Sequence, residues 1–192
     1  MLEKLSAIFV DASDRLRIAA ENRRSPMHTP VIATGDADAR IMVLRALDVE
    51  QMTLRFHLDA RSPKRQIIAD DPRIGILAYD KEAGLQLRCR GSGRVETAGN
   101  TADAAWAASD RFARRCYLGD APGELAQEPT SGLPEWLGGG RPTEEQLIPA
   151  RKNFAILLVQ LEEIDWYSLS HKGHRRALFR RADGWRGQWL AP

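Results

Sequence analysis

Two cysteines, a net charge of +2 and no long apolar run leave the 192 residues without the usual markers of several functions. Cys89 and Cys116 lie far apart and match no metal-ligand spacing. Without a disulfide framework they read as small buried hydrophobes in a reducing compartment. So small a charge does not call for nucleic acid or an anionic membrane, and any cationic site must be local. No stretch approaches the apolar length of a membrane span, and the N-terminal residues carry acids with no long apolar core. No secretory signal is therefore expected, and the cytoplasm is the expected compartment. HExxH, paired CxxC, GxSxG and P-loop patterns are missing, and Gly91-Ser92-Gly93 sits inside a strand pattern. The four histidines (His28, His57, His171 and His174) are scattered. No catalytic residue and no metal site can be read. If the chain is an enzyme, a cofactor carries its reactivity.

What is present is an ordinary globular composition, 28% charged and 43% apolar. The length suits one domain over residues 1–192, able to bury about 70% of its unfolded surface. The most informative stretch runs from Arg40 to Lys64. Ile41–Leu47 is a mostly apolar run holding Arg45. Leu54, Phe56 and Leu58 then alternate with Arg55, His57 and Asp59, as in a half-buried strand. The two runs are expected to pair antiparallel. Ser62-Pro63-Lys64 follows, with a hydroxyl to cap a helix and a proline at its first position. A helix N-terminus with Arg61 and Lys64 beside it, and Arg40 or Arg45 arriving from the neighbouring strand, makes a site for a doubly charged anion such as a phosphomonoester. The alternative is a capped surface helix with solvated cations.

Around this stretch the pattern predicts a helical segment over residues 1–28, with Leu2, Leu5, Ile8, Phe9 and Leu16 on one face, as one helix or as two broken near Asp11. Strands are expected over Val31–Thr34, Arg73–Tyr79 and Leu85–Glu96, and a helix from Ser62 that ends before Pro72. Gly91 and Gly93 on the apolar face of the Leu85–Glu96 strand imply a bulge or a close backbone approach. The polar face of that strand carries Gln86, Arg88, Arg90 and Arg94. Asn100 is expected to cap a helix with Trp106, Phe112 and Cys116 on one side. Residues 100–150 form a helical and loop excursion, after which Phe154–Tyr167, Arg176–Arg180 and Trp185–Leu190 complete seven or eight antiparallel strands. This favours a β-barrel with flanking helices.

The spacing of these signals resembles the pyridoxamine 5′-phosphate oxidase-like FMN-binding split barrels. Arg40-Ile41-Met42-Val43-Leu44-Arg45 matches the family's Arg-x-x-x-x-Lys/Arg strand. Phe56-His57-Leu58 and Arg61-Ser62-Pro63-Lys64 match its aromatic strand ending near Ser-x-Lys. Asp71-Pro72 stands where the family has Asn-Pro, Gln86 precedes Gly91 by five residues, and Trp166 precedes Arg176 by ten. The resemblance covers roughly residues 30–97 and 153–192. It implies a mainly β fold with flanking helices, a six-stranded antiparallel split β-barrel, in a homodimer with FMN at the subunit interface. Arg40, Arg45, Ser62 and Lys64 would hold the 5′-phosphate, with Met42, Val43, Leu44, His57 and Leu58 beside the cofactor. Gln86 would bond the polar edge of the ring, and Trp166 and Arg176 would come from the other subunit. The oxidase's Arg-x-His substrate motif is replaced by Lys172-Gly173-His174, so Lys172 and His174, with Arg115, are substrate candidates. Arg111, Arg114 and Tyr117 could also reach a substrate phosphate.

The implied function is hydride transfer between flavin N5 and a small, unidentified substrate. A genuine pyridoxamine 5′-phosphate oxidase and a non-catalytic flavin carrier or sensor are the alternatives. Nucleic-acid binding through Arg88, Arg90 and Arg94 is disfavoured, because few aromatics interleave with these arginines.

Overall fold

The computed structural model describes residues 4–192; Leu2 of the expected helical face lies outside them. The first helix, α1 (Leu5–Glu21), is continuous through Asp11. Ile8, Ala12, Leu16 and Ala19 recur every three or four residues and are fully buried, which joins the segment into one amphipathic helix.

Among the described residues nine strands form one antiparallel sheet, more than the six that the resemblance implied. The strands are β1 (Val31–Ala33), β2 (Ala39–Ile41), β3 (Leu44–Asp48), β4 (Thr53–Asp59), β5 (Arg73–Asp80), β6 (Leu85–Glu96), β7 (Phe154–Ser168), β8 (Arg175–Arg180) and β9 (Gly187–Leu190). The order is β2-β1-β5-β6-β7-β4-β3, with β8 on β7 and β9 on β8. The run expected as one strand over Arg40–Leu47 is two. β2 pairs with β1, and β3 pairs with β4, so the chain changes partner at Met42 and Val43.

The 15 residues of β7 are the spine. One edge bonds β6 along nearly its whole length. The other edge is divided, with Phe154–Gln160 pairing β4 and Glu163–Ser168 pairing β8. At the division the register with β6 slips between Arg90 and Gly91, and Leu161 opposes Gly91 while Glu163 opposes Arg90. Glu162 is the inserted residue, so the expected bulge is present. The polar groups left there are satisfied locally. The Leu161 amide donates to the Met52 carbonyl at 2.9 Å, and Arg181 Nε donates to the Leu161 carbonyl at 2.9 Å.

Two apolar layers result. Inside the curled sheet, Ile32, Leu44, Leu54, Phe56, Ile74, Leu87, Val159 and Phe179 pack with α1. On the outer face of β7, Phe154, Ile156 and Leu158 are covered by Ala102, Ala105, Tyr117, Leu147 and Ala150 of the excursion. That excursion holds α3 (Asn100–Ala108), α4 (Arg111–Arg114) and α5 (Glu144–Leu147), the last opened by a capping box between Thr143 and Gln146. The expected helix face from Trp106 to Cys116 is interrupted, because α3 stops at Ala108 and Asp110 caps a new turn; Phe112 and Cys116 are exposed. Asn100 is not the cap of α3: Gly99 precedes the helix, with no side-chain cap bond. Between α3 and α5 the excursion also carries an exposed Leu125 and a half-exposed Trp136.

Gly91 lies where the Gln160 carbonyl presses on β6, so an added Cβ would meet the β7 backbone at Gln160 and Leu161, next to the bulge. Neither strand can retreat without breaking the pairing on both edges of β7. Gly91→Ala is expected to destabilise the fold by about 2–4 kcal/mol, measured as a lower urea midpoint at unchanged slope. A wild-type midpoint would show that the bulge is free to relax.

Candidate functional site

The change of partner at Met42–Val43 opens a cavity of about 290 Å³ between the start of β3, the end of β4, the first turn of α2 (Lys64–Asp70) and the excursion. Met42, Val43, Arg45, His57, Leu58, Ser62 and Lys64 line it, so seven of the residues singled out from sequence meet in one place. Leu44 lies behind the cavity, fully buried in the core. Arg40 sits on β2, ion-paired with Asp38, close enough to Lys64 to disfavour its charge.

Lys64 is the poorly hydrated cation here, while Arg45 is exposed. Burial, then the neighbouring Arg40, pulls the Lys64 ammonium below its ordinary range. His57 is pushed down to about 3, first by burial and then by Arg45 and Arg55. Its ring packs edge-on against Phe154 at 4.9 Å, and its Nε2 is buried with no hydrogen-bond partner. A neutral imidazole with an unused nitrogen, a desolvated ammonium and the Arg45 guanidinium together create a demand for an anion that accepts several hydrogen bonds.

Two expectations need correction. Ser62 makes no side-chain cap bond, and Pro63 rather than Ser62 immediately precedes α2. The amides of Arg65, Gln66 and Ile67 are already bonded to the carbonyls of Ser62 and Pro63, so the first turn offers little beyond the Lys64 amide. Side-chain cations rather than a helix terminus supply the charge. Arg61 is not in the cavity lining and instead engages Asp59, the lining carboxylate. It pairs with Asp59 at 2.7 Å and donates to the Gly119 carbonyl at 3.0 Å, pinning the excursion at the cavity's rim, where Pro122 joins the lining.

The excursion contributes Ser109, Ala113, Arg114, Cys116 and Tyr117 to the wall. Arg114 is held by Glu144 through two bonds of 3.0 and 2.7 Å and lies over the Trp106 ring at 5.0 Å. Burial, with smaller effects from Cys116 and Asp59, raises the Tyr117 hydroxyl well above its usual range, so it stays protonated. Arg115 donates to the Gly139 carbonyl and lies over Phe112, outside the cavity. Arg111 approaches Glu144 at 4.0 Å.

The remaining residues gather elsewhere. Gln86, Tyr167 and Arg176 are direct partners across β6, β7 and β8 and share the outer face. Arg176 bonds Asp165 through Nε at 3.0 Å and Nη2 at 2.8 Å. His174 packs near Tyr167 at 5.7 Å, and Lys172 lies in the exposed turn between β7 and β8. Trp166 points the other way, into the barrel core beside Leu87, with Arg175 over its ring. Tyr167 is thus the aromatic on Arg176's face, and the ten-residue spacing from Trp166 could not show it, because face depends on pairing register. His57 pairs with Ile156 and Gln86 with Tyr167, so within one chain the two groups are separated by about 36 Å of strand contour.

The architecture is similar to that of solved structures. One is a pyridoxamine 5′-phosphate oxidase-related, FMN binding protein from Nostoc punctiforme PCC 73102, with TM-score 0.75, 20% identity and all of both chains covered. A second is PhzG from Burkholderia lata 383, in complex with tetrahydrophenazine-1-carboxylic acid, with TM-score 0.70, 17% identity, and 98% of this chain and 91% of that one covered. A third is a general stress protein 26-related protein of the pyridoxinephosphate oxidase family from Clostridium acetobutylicum, with TM-score 0.54, 11% identity, and 91% and 96% covered. No family profile and no curated protein matches the sequence. The fold is therefore the split β-barrel of the pyridoxamine 5′-phosphate oxidase-like type. Among the described residues no helix is long and apolar enough to cross a membrane, and no cluster of ligating side chains could hold a metal ion.

Because the folded-state pKa of His57 lies far below its ordinary 6.5, the unfolded chain takes up a proton that the folded one refuses. Its contribution to stability is complete above pH 6.5 and declines as pH falls from 6.5 toward 3. In the ligand-free protein, the His57 ring resonances should stay at neutral-imidazole positions down to pH 5. His57→Phe should flatten the acid limb of the stability profile. A His57 midpoint near 6.5 would mean that the ring is solvated.

Proposed function

We propose that the chain is an FMN-binding flavoprotein, an oxidoreductase acting on a small organic substrate, which works as a homodimer with the cofactor between subunits. The observation that carries the reading is the cavity itself. Arg45, Lys64 and the unsatisfied Nε2 of His57 converge on a space that suits a phosphomonoester, at the end of a barrel whose relatives in fold include a FMN-binding protein. Ser62 adds a hydroxyl at the same place, and Arg40 lies just behind Lys64.

The fit extends to the rest of a flavin. Met42, Val43 and Leu58 offer apolar contact beside the cations. The polar ring edge needs donors, and Gln86 and Arg176 supply them on one face beside Tyr167. Those two sets lie at opposite ends of β7, a separation that no mononucleotide bridges within one chain. In a two-fold assembly the set from one copy can meet the cavity of the other, which is the physical reason for a dimer. Bound there, the isoalloxazine supplies the capacity to accept or give a hydride. The residues of the chain hold the phosphate, orient the ring and exclude water. Asp165 keeps Arg176 aligned, and Tyr117, fixed in its protonated form, is positioned to donate to a ligand atom in the cavity.

No observation favours pyridoxamine 5′-phosphate as substrate. Lys172 and His174 occupy an exposed turn beside Tyr167, and Arg115 is bound to the Gly139 carbonyl outside the cavity.

Purified protein titrated with FMN should quench flavin fluorescence at a stoichiometry of one per chain. Lys64→Gln and Arg45→Gln should each weaken binding about tenfold or more, as expected for loss of a charge-assisted contact. Arg176→Gln should also weaken it, and mixing the Lys64→Gln and Arg176→Gln chains should restore one intact site per dimer. Anaerobic NADH or NADPH should reduce the bound flavin faster than free FMN. A monomer indifferent to FMN would end this reading, while a bound flavin that no donor reduces would retain the carrier and discard the oxidoreductase.

A further inference from the structure

The arginines on the outer face of the sheet are not treated alike. Where β6, β7 and β8 run together, β7 places a carboxylate between each pair of cations. Asp165 bonds both Arg88, at 2.5 Å, and Arg176, at 2.8 Å. Glu163 likewise bonds Arg90, at 2.9 Å, and Arg180, at 3.2 Å. Beyond the bulge the register at Glu163, with Arg90 and Arg180 opposite one β7 residue, recurs across β4, β7 and β6, where Arg55 and Arg94 are the cross-strand partners of one β7 residue. Here that residue is Leu158. The cation pair is present and the central anion is missing.

Arg55 shows the consequence. It forms no ion pair among the described residues, its Nε is buried without a hydrogen-bond partner, and burial, then Arg45, lowers its pKa. Arg94 has one carboxylate, Glu96, at 2.9 Å, and remains largely exposed. Leu158 between them leaves the two backbones two strand spacings apart, about 10 Å. The guanidinium groups can therefore close on one small ligand. They border a groove of about 380 Å³ whose other walls include Thr53, Gln160 and Thr101, which carry groups able to donate, and Ala46. Asp48 is the one carboxylate in the lining, and it already accepts from the Gln51 amide at 2.9 Å.

The groove is separate from the cavity assigned to the cofactor. Arg55 and His57 share a strand face, but Arg55 lines only the groove and His57 only the cavity. We propose that this groove is a second anion site, which seats the carboxylate or phosphate group of a small organic molecule between Arg55 and Arg94. An unpaired, half-buried guanidinium is costly in the free protein, and an oxyanion offers the planar two-point partner that it lacks. The site follows from the charge pattern of the sheet and stands whether or not the cavity binds FMN.

The test uses the 192-residue chain carrying Lys64→Gln, which disables the cavity and leaves the groove intact. Inorganic phosphate and malonate are titrated in separately, by calorimetry and by following the Arg Nε–H resonances. At least one anion should bind saturably and shift the Arg55 signal, and the tighter of the two identifies the headgroup. Adding Arg55→Gln should weaken that binding about tenfold or more. Arg94→Gln, on the more exposed side, should weaken it several-fold and serves as the probe if the Arg55 variant fails to fold. No saturable binding in the Lys64→Gln chain, or equal affinity with and without Arg55, overturns the proposal. An Arg55 signal that moves with protein concentration rather than with anion also overturns it, by showing that a second copy supplies the counter-charge.

Discussion

Everything positional in this protein depends on the divided edge of β7. A strand has two hydrogen-bonding edges, and over its length β7 must serve three partners, with β6 on one side and β4 then β8 on the other. Changing partners midway leaves backbone groups stranded, and an unpaired buried amide or carbonyl costs on the order of 1–3 kcal/mol. The chain resolves this at one point. Glu162 is inserted, Gly91 lets the strands close in, and Arg181 and Met52 bond the backbone groups of Leu161 that the ladder leaves unpaired. Without that junction the sheet would continue as a simple meander, and the two halves of the outer face would not diverge.

The divergence sets the chemistry of each half. After the bulge, the outward residues of β7 are Glu163, Asp165 and Tyr167, a polar row that gathers arginines from both neighbours. Before it they are Phe154, Ile156 and Leu158, an apolar row that must be covered, and residues 100–150 cover it. The cavity forms where this cover meets the open turn at Met42–Val43. An apolar lid over a polar rim is what desolvates Lys64 and His57. Packing and charge are thus one design: the layer that stabilises the outer face also lowers the polarity around the cations and sharpens their demand for an anion.

Much of this was legible in the order of residues. The alternation of Leu54, Phe56 and Leu58 with Arg55, His57 and Asp59 matches the observed burial, and the paired glycines of β6 mark the bulge. The cluster of Arg45, His57, Ser62 and Lys64 follows from local spacing, because strand, turn and helix start are adjacent in the chain. Less local features were hidden. That Arg40–Leu47 is two strands depends on β1 and β4 competing for it, which short-range pattern does not encode. Whether Trp166 or Tyr167 faces Arg176 depends on a register set across three strands. Arg114 and Tyr117 were candidates by resemblance, but the contribution of Ser109, Ala113 and Pro122 to the cavity depends on where a long excursion folds back, and its anchor, Arg61 to the Gly119 carbonyl, joins residues 58 apart in sequence.

The electrostatics explain why the cations are arranged as they are. Arg45 bears on both Arg55 and His57, so like charges on β3 and β4 raise each other's cost in the free protein. Nothing in folding requires this. Leu or Gln at Arg55 would relieve it. Relief at Lys64 would be as simple, since an acid on the facing excursion would pair it. The sheet neutralises four arginines in its far half, whereas in the near half Arg45 and Arg55 on the sheet, and Lys64 at the start of α2, have no ion pair among the described residues. A cost confined to one region, beside two openings that fit small ligands, is best accounted for by anions that arrive from solution and remove it.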